Sequence, residues 1–212
     1  MDYVAPVAER VLITIEGIDG AGKTTLAGAL SGALRERGIS TQLVREPGGV
    51  ALSERLRELL ADTHLRIAPQ AEALLYAAAR AQLVQELLLP LLEEVDVVLM
   101  DRFADSSLAY QGAGRGLGIE QVRALNDFAT AGLRPHRTLL LALEPELARA
   151  RLDGEGRLPD RLEHEPGAFF AEIASAYELL AEAEPDRFAV LDASAPSGAV
   201  LAAALDAVAD LL

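Results

Sequence analysis

The plainest chemistry in this chain stands near its start. Gly17-Ile18-Asp19-Gly20-Ala21-Gly22-Lys23-Thr24 fits the spacing G-x-x-x-x-G-K-[ST], and Thr25 follows it. Glycines so placed let successive backbone N–H groups converge on an anion at the mouth of a helix. The chemistry is polyphosphate binding. Gly17, Gly20, Ala21, Gly22, Lys23, Thr24 and Thr25 would form the cradle, Lys23 would reach the outer phosphates, and Thr24 would offer its hydroxyl to Mg²⁺. Lys23 is the only lysine; the other 18 of the 19 basic residues are arginine. At this one place the chain keeps a compact ammonium on a flexible stem instead of a planar fork.

A second group lies at Val97-Val98-Leu99-Met100-Asp101-Arg102, an apolar run ending in a carboxylate and a guanidinium. If this run is a strand beside Val11–Glu16, Asp101 comes near Thr24 and can hold Mg²⁺ through water. Arg102 beside it suits a second, acceptor phosphate. Tyr76 and Arg80 are spaced i,i+4 and share a helix face. A ring next to a guanidinium can stack on a pyrimidine and bond its carbonyl, though a core tyrosine beside a surface arginine has the same spacing.

These groups need a scaffold, and the hydrophobic pattern supplies one. Val11–Glu16, Thr41–Arg45, Val97–Asp101, Thr138–Leu143 and Phe188–Asp192 read as strands. Helices are predicted over Lys23–Arg37, Ser53–Ala61 and Pro69–Leu89, the last disturbed by Pro90, and over 119–131, 145–152, 166–183 and 197–211. Apolar strands alternating with helices imply an α/β fold, a mostly parallel sheet covered on both faces. Ligands in such folds bind beyond the carboxyl ends of the strands. Asp153–Pro166, polar and rich in Gly and Pro, reads as a flap.

Composition narrows the function. The chain has 212 residues, a net charge of −14 and no cysteine. One domain is the expectation at this length. The absence of cysteine excludes disulfides, thiolate metal sites and a cysteine nucleophile, and it fits a reducing cytoplasm. The acidic balance argues against binding long nucleic acid. No apolar stretch reaches the ~18 residues of a membrane span, and Glu16 ends the apolar run after Arg10 too soon for a signal peptide.

Four segments resemble one family: Glu16-Gly-Ile-Asp-Gly-Ala-Gly-Lys-Thr-Thr25, Arg45-Glu-Pro-Gly-Gly49, Asp101-Arg-Phe-Ala-Asp-Ser-Ser-Leu-Ala-Tyr-Gln-Gly112 and Asp160-Arg-Leu-Glu163. In order, and over essentially the whole chain, they are similar to the bacterial thymidylate kinases. The resemblance implies the P-loop nucleoside-monophosphate-kinase fold, a five-stranded parallel sheet flanked by helices, with a lid at about 153–166. It implies transfer of the γ-phosphoryl of ATP to dTMP with Mg²⁺, and a homodimer. By the same resemblance Tyr76, Arg80, Ser107 and Gln111 line the base pocket, and Tyr110 lies by the deoxyribose. Asp19 would take the 3′-hydroxyl, and Arg57 and Arg102 would grip the acceptor phosphate.

Some family members carry an arginine at the position of Gly20. Here the missing charge is expected from the flap, with Arg157 and Arg161 as catalytic candidates, Arg151 over adenine, and Arg149 nearby. An arginine introduced at position 20 is expected to replace part of that charge. No general base is needed, because a nucleotide monophosphate with a second pKa of ~6 already presents a nucleophilic oxygen. A deoxynucleoside kinase would instead need a carboxylate base, for which Glu16 or Glu46 could serve. An ATP-dependent binding module would need only the phosphate loop. Glu46 and Asp105 carry no assigned role.

Lys23→Arg is expected to lose most phosphoryl-transfer activity although the charge is kept, because the fork does not fit a loop closed around phosphate. Steady-state turnover measures this; wild-type turnover in the variant would refute it.

Overall fold

A computed structural model describes residues 10–154, 156 and 161–212. Its centre is a five-stranded sheet in the order β2-β3-β1-β4-β5, with β1 Val11–Glu16, β2 Thr41–Arg45, β3 Val97–Asp101, β4 Arg137–Ala142 and β5 Phe188–Asp192. Every pairing is parallel, as the alternation of strands and helices predicts. β1 is buried along its whole length. Its side chains divide by the two-residue period of a strand. Ile13 and Ile15 join Leu99 and the Leu26, Leu30 and Leu34 stripe of α1 (Lys23–Glu36) in the larger core. Leu12 joins Val98, Met100, Leu83 and Leu88 in the smaller one.

The remaining helices are α2 Ala51–Ala61, α3 Pro69–Leu83, α4 Leu89–Glu94, α5 Ala104–Ser107, α6 Ile119–Thr130, α7 Pro145–Gly154, α8 Gly167–Ala183 and α9 Ser197–Ala207. The last ends at Ala207 where the pattern predicts 211, and two others differ more from the pattern-based expectation. The helix from Pro69 does not stop at Leu89; a π-turn at Val84–Leu88 carries it into α4, with Pro90 inside the first turn. Pro90 has no N–H to give and its ring crowds the carbonyl four residues back, and the wider turn relieves both. The second is α5, which the pattern did not mark as an element. It runs on as a π-wound segment, Leu108–Gly114, so Ser107, Tyr110 and Gln111 sit on one continuous helical stretch. Among the described residues no helix is long and apolar enough to cross a membrane.

Two buried polar knots tie the sheet to the turn and helix that follow β3. Asp105, at the start of α5, takes both arms of the Arg187 guanidinium at 2.6 and 3.0 Å, with Thr138 of β4 2.7 Å from the same arginine. This gives Asp105 a structural place. Glu16, the last residue of β1, is fully buried. It accepts the Phe103 N–H at 2.7 Å, the Ser106 hydroxyl at 2.6 Å and the Tyr177 hydroxyl at 2.8 Å. One carboxylate thus ties β1 to the β3–α5 turn and to α8.

Burial, reinforced by the charge of Asp105 and opposed by Arg102, pushes Glu16 from the ordinary 4.5 up to about 7. The folded protein therefore keeps a proton that the unfolded chain releases near 4.5, so stability falls as pH rises through this window. Its contribution to the slope is at most ~1.4 kcal/mol per pH unit. Glu16→Gln is expected to remove that part of the slope, as read from urea unfolding at a series of pH values. Parallel stability–pH curves for the two proteins would contradict it.

Candidate active site

The phosphate loop follows β1 directly. Its backbone needs glycine at Gly17, with φ +139 and a place where a Cβ would lie 2.7 Å from the Leu141 carbonyl oxygen. Gly22, at φ 96, caps α1. Lys23 is buried and donates from Nζ to the Ile18 carbonyl at 2.8 Å. Burial and the neighbouring Arg102 charge bring its pKa down to about 8, against the pull of Asp19, Asp101 and Glu16. Because β1 pairs with β3 in the register Ile15 to Asp101, Thr24 Oγ1 donates to Asp101 Oδ2 at 2.6 Å. Hydroxyl and carboxylate oxygens in contact are donors that suit a small hard cation.

Arg102 takes a left-handed backbone, φ 71, which costs a non-glycine residue roughly 1–3 kcal/mol. This turn aims the guanidinium back over the phosphate loop. Nη2 lies 2.5 Å from Asp19 Oδ1 and Nη1 lies 3.1 Å from the Gly17 carbonyl. The Tyr110 hydroxyl donates to Asp19 Oδ2 at 2.9 Å. Burial alone would raise the pKa of Asp19, but Arg102, Lys23 and Tyr110 bring it down to about 2. Asp19 is thus held by Arg102 and Tyr110, with Lys23 Nζ 3.9 Å from its Oδ1.

Beyond Arg102 lies a cavity lined by Tyr76, Arg80, Ser107, Tyr110 and Gln111, with Pro47, Leu60 and Leu162 at its edges. Arg80 is 2% exposed. Its Nε and Nη2 both reach Glu46 Oε2 at 2.7 Å, Nη1 donates to Ser107 Oγ at 3.0 Å and to Asn126 Oδ1, and Nη2 donates to the Phe103 carbonyl at 3.0 Å. Four of its five N–H groups are hydrogen-bonded, and Nη2 meets Glu46 only as an ion pair. The rotating Ser107 hydroxyl is the partner that yields most easily. Gln111 is fixed by Glu72, as Nε2 donates to Oε1 at 2.9 Å.

Arg57 does not pair with Glu54, which is held by Arg45 at 2.9 Å and by the Gly49 N–H at 2.9 Å. It donates instead to the Pro47 carbonyl at 3.2 Å. Arg57 lines this cavity and a second cleft as well, the one formed by the phosphate loop, Arg151, Leu152, Ala193, Ser197 and Val200. Arg151 lines that cleft and donates to the Ala193 carbonyl at 2.9 Å.

The flap arginines separate. Arg149 lies 3.3 Å from Asp153 and donates to the Glu163 carbonyl at 2.8 Å. Arg161 is not directed at the phosphate loop. It lies 2.8 Å from Glu72 Oε2 and donates to the Leu60 carbonyl at 2.9 Å, drawn there by a carboxylate that is completely buried. Arg157 lies outside the described residues. The graft at position 20 also meets an obstacle, because a Cβ on Gly20 would lie 2.4 Å from the Ala148 carbonyl oxygen and 3.1 Å from Leu152 Cγ. Here α7 packs down onto the loop where an arginine stem would need to pass.

Glu46, Glu72 and Asn126 are the polar residues around the cavity to which the sequence reading gave no role. A signal existed for Glu72: it precedes Tyr76 and Arg80 at i−4 and i−8 on a helix made largely of alanine and leucine. Glu46 was marked only by its place in the Arg45–Gly49 segment and Asn126 not at all, since their links to Arg80 span 34 and 46 residues.

The family model for thymidylate kinase matches residues 15–203. Among curated relatives, the thymidylate kinase of Deinococcus radiodurans is 47% identical over 190 residues, 90% of this chain and 92% of that protein. That of Halalkalibacterium halodurans is 44% identical over 195 residues, 91% of this chain and 93% of the relative. Among solved structures, thymidylate kinase from Ehrlichia chaffeensis superposes with a TM-score of 0.75 at 28% identity, covering 93% of this chain and 97% of that one. A phosphate loop, an Asp-Arg turn and a side cavity in this arrangement therefore carry the P-loop nucleoside-monophosphate-kinase fold, and the chain belongs to the thymidylate kinase family.

Proposed function

We propose that this protein transfers the γ-phosphoryl group of ATP to dTMP, giving dTDP and ADP, in the cavity where two clefts meet. One observation carries the reading. The phosphate-loop cleft and the Tyr76–Gln111 cavity share Asp19, Glu46, Arg57 and Arg102 as common walls. Two guanidiniums at such a junction suit an acceptor phosphate facing a donor triphosphate. Family membership favours this over the nucleoside-kinase and binding-module readings.

The donor triphosphate would lie on Gly17, Gly20, Ala21, Gly22, Lys23, Thr24 and Thr25, with Arg151 beside the adenine. Among the described residues no cluster of three or more His, Cys, Asp or Glu could hold a metal by itself. Thr24 and Asp101 would hold Mg²⁺ together with phosphate oxygens, and the ion would supply charge neutralisation between donor and acceptor phosphates. Tyr76 would stack on the base, Arg80, Ser107 and Gln111 would bond its edge, and Tyr110 would border the deoxyribose. Asp19, anionic under Arg102, would accept the 3′-hydroxyl. The acceptor oxygen needs no base, so the chain's task is alignment by Arg57 and Arg102 and neutralisation by Lys23. With Arg161 engaged by Glu72, the charge that Gly20 does not supply falls to Arg157 by its place in the sequence. A homodimer in the cytoplasm fits the reading, and Phe128 at 88% and Leu74 at 57% exposure are apolar surface it would cover.

The test is a coupled ATP-consumption assay with dTMP, dUMP, dCMP and thymidine. dTMP is expected to be used best and thymidine hardly at all; preference for thymidine would overturn the reading. Arg57→Ala removes a charge-assisted contact worth ~1.5–3 kcal/mol, so kcat/KM for dTMP is expected to fall by about 10–150-fold. The KM for ATP should stay within roughly threefold, since the contact is to the acceptor. Equal losses for both substrates would move Arg57 out of the acceptor site.

A further inference from the structure

Glu72 is a carboxylate with no place in the phosphoryl-transfer machinery, yet it is completely buried behind Gln111, which lines the acceptor cavity. Three side chains converge on it through four contacts. Arg115 reaches both oxygens at 3.2 Å, Arg161 lies 2.8 Å from Oε2, and the Gln111 side-chain amide donates to Oε1 at 2.9 Å. Burial opposes its charge, but the bonds from Arg115, Gln111 and Arg161 hold its pKa below the ordinary value. It is an anion, and an ionised carboxylate can only accept hydrogen bonds.

That restriction acts on Gln111. An amide side chain has a donating end and an accepting end, and nothing in its own shape decides which faces a ligand. Turned the other way, Gln111 would set its carbonyl oxygen against a carboxylate oxygen, leaving two buried acceptors in contact. Only the NH₂ end can face Glu72. Oε1 is therefore the end left for the cavity, where it has no hydrogen-bond partner among the described residues. Beside it stands Arg80, which only donates.

We propose that Glu72 is a specificity-determining residue: by taking the Gln111 amide N–H it turns the Gln111 carbonyl oxygen toward the acceptor base and selects a pyrimidine with a donor at N3 beside an acceptor at C4. Thymine and uracil carry that pair. Cytosine carries the reverse, an acceptor at N3 and an amino donor at C4, so it meets an acceptor with an acceptor and a donor with a donor. Buried mismatches of this kind leave polar groups unpaired and are strongly rejected. The proposal rests on the reading of the Tyr76–Gln111 cavity as the base pocket.

The test compares kcat/KM for dTMP and dCMP in wild-type protein and in Glu72→Gln. An amide at position 72 can donate or accept, so Gln111 is free to turn. The dTMP-to-dCMP ratio is expected to fall by at least ~30-fold, about the value of one hydrogen-bond mismatch. Arg115→Gln is the control. It removes a partner of Glu72 but leaves the Glu72–Gln111 bond, so it is expected to lower the unfolding temperature while keeping the ratio within roughly threefold. A folded Glu72→Gln protein with the wild-type ratio would overturn the proposal, and so would a fall of equal size in Arg115→Gln. Should Glu72→Gln not fold, the wild-type protein decides with 3-methyl-dTMP, which has no donor at N3. Its kcat/KM is expected to lie at least ~100-fold below that of dTMP, and equal use of the two would overturn the proposal. Wild-type protein that phosphorylates dCMP or thymidine but not dTMP would instead refute the function proposed above.

Discussion

Parallel pairing of β1 with β3 sets the geometry on which the site depends. The register Ile15 to Asp101 brings two chain segments separated by more than seventy residues to the same edge of the sheet. From the end of β1 comes the phosphate loop, and from the end of β3 come Asp101 and Arg102. A slip of one residue would turn every side chain of a strand to the opposite face. It would part Thr24 from Asp101 and Arg102 from Asp19. Register is held by apolar packing on both faces, where Ile13 and Ile15 fill one core and Leu12 and Val98 fill the other. The precision of the site is thus borrowed from the hydrophobic core beneath it.

Around that edge the protein concentrates buried charge. Glu16, Glu46, Glu72, Lys23 and Arg80 are all nearly inaccessible to solvent. Desolvating such groups costs more than a surface ion pair returns, and well-packed apolar residues would often serve stability as well. What charges add is direction. Glu16 gathers three donors from two other elements, Glu46 and Asn126 hold Arg80, and Glu72 holds Gln111. Each carboxylate fixes a neighbour that faces the cavity, where a hydrocarbon would leave it free to turn. Glu46 also keeps Oε1 without a partner among the described residues, beside both clefts.

The arginines show how context divides a uniform residue type. Arg80 is buried and held by four hydrogen bonds, and Arg102 bends its own backbone to lie over the phosphate loop. Arg57 reaches across the junction, while Arg161 is drawn to Glu72. Gly20 belongs to the same account. The loop carries no side chain there because α7 presses its Ala148 carbonyl into the space. A charge needed near the phosphates must approach from another direction.

The sequence alone determined what depends on neighbours along the chain. Phosphate-loop spacing, the strand ending in Asp101 and the strand–helix alternation are local patterns, and the strands fell within a residue of the observed boundaries. The pairing of Asp101 with Thr24 was legible once β1 and β3 were taken as adjacent. The family was legible from four segments in order, and through it so were the residues that line the Tyr76–Gln111 cavity. Tertiary structure alone decided how those residues are held. The Glu46–Arg80 pair, the Asn126 contact, the Glu72 hub and the collision at Gly20 join positions tens of residues apart, and no periodicity encodes which buried charge will find which partner. Arg161 makes the difference plain. Its sequence position marks it for the flap, but its direction is set by a buried carboxylate on another helix, because an anion removed from water takes whatever cation the fold brings within reach.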